Sequence, residues 1–258
     1  MDSDTILDFP ITRADRDTCV AQIRSWIETS AREPRFVFCV NPHSIMSARR
    51  DPEFAAALIG ADLRVPDGAG MVWASRILGG GIRTRVTGSD LFDGVMTNIN
   101  AGGGRSCFLL GAGADTLDQM AERMSHQFPA VRIAGRYSPP FAATFAAEEN
   151  DAMVSAVNAA APDILWIGMT QPKQEKWAWQ NRGRLRAGVV IPIGAVFDFY
   201  TGRVRRPGSA IQRIGLEWLV RLSREPRRLW RRNLDSPLFL WLVLFDRFSI
   251  RSRKRLPL

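Results

Sequence analysis

The stretch Ser106-Cys107-Phe108-Leu109-Leu110-Gly111-Ala112-Gly113 decides how the rest of the chain is read. A short apolar run closed by glycines predicts a strand buried on both faces. Asp115 to Phe128 then reads as a helix, so the unit is strand, tight turn, helix. The same unit recurs on both sides. Upstream, Phe36–Val40 runs into Asn41-Pro42, and Pro42 to Ile59 reads helical with a break near Asp51-Pro52, where Pro suits a first turn. Leu63–Val65 ends at Pro66-Asp67-Gly68, before a helix over Met71–Leu78. Downstream come a strand at Val131–Ile133, a helix over Phe141–Ala161, a strand at Ile164–Gly168, a helix over Lys173–Arg182 and a strand at Val189–Ile193. In front, Leu7, Phe9 and Ile11 predict one short entry strand, and Val20, Ile23 and Ile27 give helical spacing within Asp15–Ala31.

Strand–helix alternation over about 190 residues predicts a Rossmann-like, doubly wound α/β fold with a mainly parallel sheet. Such sheets bind ligands in the crevice beyond the carboxyl ends of their strands. Here those ends are Asn41, Pro66-Asp67-Gly68, Gly111-Ala112-Gly113, Gly168-Met169-Thr170 and Gly194.

With 258 residues, 46% of them hydrophobic, the chain can bury a sizeable core and is not a disordered protein. Its net charge of +9 is unevenly spread. Arg203 to Leu258 carries fifteen Arg and Lys against four Asp and Glu, a net of +11, so residues 1–202 stand near −2. The expected organisation is an α/β domain over 1–202 and a helical, arginine-rich appendage over 203–258. A basic segment of this kind points to phosphate-bearing partners: nucleic acid, nucleotides or an anionic membrane.

Cys19, Cys39 and Cys107 form neither a disulfide framework nor a zinc pattern, and two histidines make a His-rich metal site improbable. The acidic start Met1-Asp2-Ser3-Asp4 does not read as a signal peptide, and no apolar run is long enough for a transmembrane helix. A reducing, cytoplasmic location is expected.

Several residues are candidates for chemistry. Asn41 and Asp67 each follow a strand directly. A carboxylate there can take a proton from a hydroxyl nucleophile and an amide can position that hydroxyl, though Asn-Pro and Asp-Gly are also common turn formers. Arg85 is either a site residue or a surface arginine. Gly111-Ala112-Gly113 could bring backbone amides to a phosphate at a helix N-terminus, or simply make a tight turn; it is neither GxGxxG nor a P-loop. Lys173 and Gln174, in Thr170-Gln171-Pro172-Lys173-Gln174-Glu175-Lys176-Trp177, would lie in a first helical turn and could hold a phosphate or a sugar hydroxyl; a capped surface helix is the plain alternative. Asp198 could bind a sugar or ribose hydroxyl, or make a cap or salt bridge. Asp2-Ser3-Asp4 is an Asp-x-Asp that sits at what is expected to be a mobile terminus.

In the tail, Arg221, Arg224 and Arg228 would share one side of a continuous helix, a register that Pro226 between them could break. Clustered guanidiniums suit a diphosphate. Leu238-Phe239-Leu240-Trp241-Leu242-Val243-Leu244-Phe245 is too short to span a bilayer, and Arg247, Arg251, Arg253, Lys254 and Arg255 follow. Apolar residues with Trp beside a basic cluster describe a helix lying in an anionic membrane surface. A homo-oligomer interface and a nucleic-acid arm are the alternatives.

Together these segments resemble the WecG/TagA/CpsF family of bacterial glycosyltransferases. The resemblance runs from about Phe9 to Leu234. It rests on Val65-Pro66-Asp67-Gly68-Ala69-Gly70, Arg85-Val86-Thr87-Gly88-Ser89-Asp90, Phe108-Leu109-Leu110-Gly111, Ile167-Gly168-Met169 running into Pro172-Lys173-Gln174-Glu175, Gly194-Ala195-Val196-Phe197-Asp198, and Glu217 to Arg228. It implies a metal-independent, inverting transferase without a cofactor. The enzyme would move a sugar from a UDP donor to a polyprenyl-diphosphate-linked saccharide at the cytoplasmic face of the bacterial inner membrane, in cell-surface polysaccharide synthesis, and would not bind nucleic acid. By the resemblance, Asp67 is the base, Asn41, Arg85 and Gln174 are catalytic neighbours, and the tail helps close the site and meets the membrane. The donor would lie near Gly111, Gly168, Lys173, Gly194 and Asp198. Arg221, Arg224, Arg227 and Arg228 would hold the diphosphate. Many members carry Thr two residues before the asparagine; here that position is Cys39, whose thiol donates only weakly, and His43 or Ser44 could supply the contact. The rival from another class is a nonenzymatic nucleotide-binding module with a nucleic-acid-binding tail; a Rossmann dehydrogenase is disfavoured by the missing GxGxxG.

Overall fold

A computed structural model describes residues 1–29, 33–204 and 226–253, with side chains of the last segment described over 235–248. Its centre is a six-stranded, all-parallel sheet flanked by helices, as the strand–helix alternation predicts. The strands are β3 (Arg35–Val40), β4 (Leu63–Pro66), β5 (Ser106–Gly111), β6 (Arg132–Tyr137), β7 (Ile164–Gly168) and β8 (Val189–Pro192), in the order β4-β3-β8-β7-β5-β6. The chain starts with an antiparallel hairpin, β1 (Ser3–Ile6) and β2 (Phe9–Thr12).

That hairpin replaces the single entry strand expected there. Leu7 and Asp8 both adopt positive φ, the geometry of a two-residue turn matched to strand twist. The hairpin also removes Asp4 from any Asp-x-Asp metal motif. Its carboxylate is buried and accepts from Arg13 Nε at 2.6 Å, Ser75 Oγ at 2.5 Å, Gly81 N at 2.8 Å and Ile82 N at 3.0 Å. The amino terminus is therefore stapled to the body.

The helices between strands are α1 (Arg16–Glu28), α2 (Pro42–Ala48), α3 (Pro52–Gly60), α4 (Ala69–Leu78), α5 (Gly88–Gly102), α6 (Ala114–Gln127), α7 (Ala147–Ala160), α8 (Lys173–Gln180) and α9 (Val196–Thr201). The break near Asp51-Pro52 is real: Asp51 caps α3 by accepting from Glu53 N and Phe54 N. The sequence reading assigned no helix to α5 or α9. Leu91, Phe92, Val95, Met96 and Ile99 do bury one face of α5 at helical spacing, and Thr87 with Asp90 forms a capping box. The glycines at 88, 94 and 102 obscure that pattern, because Gly is a poor helix former. The helix expected from Phe141 starts only at Ala147; the preceding residues fold over the cleft instead, held by contacts described below.

Alternate residues of each strand enter two separate cores, one on each sheet face. Phe36, Phe38, Val40, Leu110, Leu165, Ile167 and Val190 belong to one. Val37, Cys39, Val65, Leu109, Trp166, Val189 and Ile191 belong to the other. Fully burying one such side chain contributes roughly 1.5–3 kcal/mol.

The last described helix, α10 (Pro226–Arg253), runs continuously through Pro237. It packs on α2 and α4, and its Phe239 and Val243 complete the first core. Leu238, Trp241, Leu244, Phe245 and Phe248 face outward, with Trp241 stacked on Phe245 at 5.9 Å. Among the described residues no helix is long and apolar enough to cross a membrane.

Candidate active site

A cleft of about 1330 Å³ opens beyond the carboxyl ends of the strands. It forms where the sheet parts. The β3–β8 ladder has only two residue pairs, Arg35 with Val189 and Phe36 with Val190, both at the amino ends of the strands. Beyond them β3 continues against β4, and β8 against β7, so the crevice divides a β3–β4 half from a β7–β8 half.

The β3–β4 half carries Asn41 and Asp67. Val40 pairs with Pro66, and Asp67 N donates to Val40 O at 2.8 Å, which sets the two side chains next to each other. Asn41 caps α2: its Oδ1 accepts from Ser44 N at 3.0 Å, while Ser44 Oγ accepts from Asn41 N at 3.0 Å. With Oδ1 so engaged, Nδ2 turns to Asp67 Oδ2 at 3.5 Å. Gly68, at φ +97°, turns the chain sharply into α4. Val86 N donates to Pro66 O at 2.8 Å, which brings half-buried Arg85 into the same cleft wall.

Cys39, in the position of the family threonine, is buried beneath this pair. Burial, then the nearby charges of Asp67 and Glu175, push its thiol well above the usual range, so it is neutral. Ser44 bonds directly to Asn41 of this pair. His43 lines the cleft, but its Nδ1 lies 2.6 Å from Asp235 Oδ2 on α10. Arg50 also pairs with Asp235.

In the β7–β8 half, Gly168, Lys173, Gln174, Gly194 and Asp198 all line the cleft. Gln174 is buried, and its amide braces the strand ends: Oε1 accepts from Met169 N at 3.2 Å and Gly194 N at 3.1 Å, and Nε2 donates to Glu175 Oε1 at 2.9 Å. Lys173 Nζ donates to Ala142 O and lies 3.5 Å from the centroid of the Phe145 ring. Burial lowers its pKa. This cation thus holds the 141–145 segment over the cleft. Gly111 is buried below the lining, where a Cβ would meet Gly168 O at 2.6 Å; Ala112 and Gly113 reach the surface of the cleft in its place.

Other lining residues escaped the sequence reading. Gln171 and Glu175 sit beside Gln174, and Arg203 reaches Thr116 Oγ1 at 3.0 Å next to the start of α6. Ser236, Pro237 and Leu240 bring α10 to the rim. Arg221 and Arg224 lie outside the described residues, as do the side chains of Arg227 and Arg228. Among the described residues, no group of three or more His, Cys, Asp and Glu is placed to hold a metal ion.

The profile of the glycosyl transferase WecG/TagA/CpsF family matches residues 5–253, nearly the whole chain. The chain belongs to this family. An N-acetylglucosaminyldiphosphoundecaprenol N-acetyl-beta-D-mannosaminyltransferase of Bacillus spizizenii is 31% identical over 209 residues, covering 81% of this chain and 78% of that protein. The protein of the same name from Bacillus subtilis is 30% identical, covering 80% and 77%. One from Staphylococcus aureus is 22% identical, covering 91% and 89%. As a member of the WecG/TagA/CpsF family, the chain is a glycosyltransferase, and its cleft is the candidate site of sugar transfer.

Proposed function

We propose that this chain is an inverting, metal-independent glycosyltransferase that moves a sugar from a UDP-sugar to a saccharide carried on polyprenyl diphosphate, in cell-surface polysaccharide synthesis. The names of the Bacillus and Staphylococcus relatives point to a sugar-diphosphate lipid as acceptor and to an N-acetylmannosamine-type donor sugar. The observation that carries the reading is the Asn41–Asp67 pair, held at adjacent strand ends and opening into a cleft large enough for a sugar nucleotide.

Asp67 accepts the proton of the acceptor hydroxyl as its oxygen attacks the anomeric carbon from the face opposite the leaving group. The bond from that carbon to the diphosphate oxygen breaks, and UDP leaves. Asn41 orients the attacking hydroxyl and the carboxylate. Negative charge developing on the leaving diphosphate is met by arginines: Arg85 and Arg203 in the cleft wall, joined by Arg221, Arg224, Arg227 and Arg228 of the appendage. Gly168, Gly194 and Asp198 flank the donor.

The outward face of α10 supports peripheral attachment to an anionic membrane, where the lipid acceptor resides. Trp241, Phe245 and Phe248 are each more than half exposed, and basic residues follow in the sequence. The test is transfer from UDP-glucose, UDP-galactose, UDP-N-acetylmannosamine and its uronic acid to a short-chain polyprenyl-diphosphate N-acetylglucosamine, read by mass spectrometry. A glycosylated lipid with release of UDP is expected from at least one donor. Absence of product from all of them rejects the proposed donor and acceptor class.

A further inference from the structure

We infer that Gln171 is a positioning residue: a strut across the parted sheet that sets the β3–β4 half of the cleft, with its base, against the β7–β8 half, with its donor. The inference rests on the reading of Asp67 as the base.

The sheet itself leaves this distance unset. No ladder pair joins β3 to β8 beyond Phe36 and Val190, so the strand ends that bear the site are not hydrogen-bonded to each other directly. Gln171 follows β7 and starts from the donor half. Its Nε2 donates to Glu175 Oε1 at 3.1 Å, the same oxygen that receives Gln174 Nε2. Through Gln174, that cluster is tied to Met169 N and Gly194 N at the ends of β7 and β8. Gln171 then crosses the gap. Its Nε2 reaches Cys39 O of β3 at 3.5 Å, and its Oε1, at 3.0 Å, shares the single Ser44 hydroxyl proton with Asn41 Oδ1 at 3.1 Å. Ser44 is the residue that holds Asn41.

Both ends of the Gln171 amide are therefore used with a fixed polarity. Donors face Glu175 and β3, and the acceptor faces α2. Ser44 is wholly buried and Glu175 is 1% exposed, so water does not readily replace either partner. Transfer requires the attacking hydroxyl to sit about 3–3.5 Å from the anomeric carbon, in line with the bond that breaks. Misplacement of about 1 Å can cost a hundredfold.

The experiment compares wild type with Gln171→Met, Ser44→Ala and the double variant. It measures UDP affinity by calorimetry, thermal stability, and turnover with the best donor of the four UDP-sugars and the short-chain lipid acceptor. Gln171→Met keeps the length and removes the amide. The expected result is a drop in kcat of about tenfold or more, with UDP affinity within about twofold of wild type. Ser44→Ala removes the same link together with the Ser44 half of the Asn41 capping box, so its loss should be at least as large, and adding Gln171→Met to it should lower kcat little further because the shared connection is already cut. A general weakening of the fold would instead lower UDP affinity together with turnover.

Wild-type kcat in Gln171→Met, or losses that multiply in the double variant, overturn the strut. If Gln171→Met does not melt cooperatively, Gln171→Glu, which keeps the length and the Oε1 acceptor but loses the donors to Glu175 and Cys39 O, decides by the same kcat criterion. Asp67→Asn, run alongside, separates the two claims. A dead Asp67→Asn with an unaffected Gln171→Met removes the strut alone, whereas a fully active Asp67→Asn removes the base.

Discussion

The carboxylate of Asp235 lies 2.6 Å from Nδ1 of His43, joining α10 to the helix that Asn41 caps. Arg50 pairs with the other carboxylate oxygen. One buried acid thus receives His43 of α2 and Arg50 just beyond the end of that helix, and fixes where the rim residues Ser236, Pro237 and Leu240 sit. Asp235→Ala is expected to destabilise the protein by about 1–3 kcal/mol, the worth of hydrogen bonds to a charged group. Chemical denaturation measures this, and limited proteolysis should cut near α10 sooner than in wild type.

Asp67→Asn should bind UDP as wild type does and lose transfer by about a hundredfold or more, since an amide cannot take up the acceptor proton. Calorimetry with UDP and single-turnover kinetics test the two halves of this expectation separately.

Acid should weaken the amino-terminal staple. Burial by itself would push the Asp4 carboxyl up, but donation from Ser75, Arg13, Ile82 and Gly81 outweighs it and holds the pKa below the ordinary value. A lowered folded-state pKa means the unfolded chain takes protons first as pH falls. The contribution is therefore complete above the unfolded value of about 3.9 and is lost as pH drops through the folded one. Stability of Asp4→Asn, followed by denaturant melts between neutral pH and pH 3, should fall less steeply in acid than that of wild type.

Gly111→Ala should be costly. The residue has φ +106°, and an added Cβ would lie 2.6 Å from Gly168 O, which is backbone and cannot swing aside. A loss of about 1–3 kcal/mol is expected from the backbone conformation alone. Gly113→Ala, where nothing lies within 4 Å, should be nearly neutral and serves as the comparison in the same denaturation series.

Replacing Trp241 and Phe245 together by Ser should leave the melting temperature close to wild type, because both rings are more than half exposed. Sedimentation with vesicles containing anionic phospholipid should fall by about tenfold or more, given roughly 1.5–3 kcal/mol for each large side chain withdrawn from an apolar phase. Unchanged sedimentation would dismiss this face as the membrane contact.

Much of the fold was legible in the sequence because buried parallel strands are written as short apolar runs ending in turn formers. Phe36–Val40 and Ser106–Leu110 are cases where pattern and burial coincide. The place of Asn41 and Asp67 at the cleft was legible for a related reason: each is the first polar residue after such a run. Helix α5 was hidden by its glycines. The 141–145 segment has helix-forming alanines, but Lys173 draws it over the cleft, and tertiary contact overrides propensity. Gln174 lines the cleft as its position in the sequence suggests, and the bonds of its amide to Met169, Gly194 and Glu175 are visible only in the fold. Gln171 could not be singled out, because its importance depends on where the β3–β8 ladder stops, a matter of register between residues some 150 positions apart.

The position of β8 also constrains how the chain reaches its native state. Among the described residues it is the last strand in sequence, yet it lies in the middle of the sheet, between β3 and β7. The β4-β3 pair and the β7-β5-β6 group emerge earlier from the ribosome but cannot join until Val189–Pro192 is available to bridge them. Contacts of such large sequence separation slow folding. Until synthesis passes β8, both partial sheets expose unpaired strand edges, so the nascent chain is most vulnerable to aggregation just before its central strand arrives.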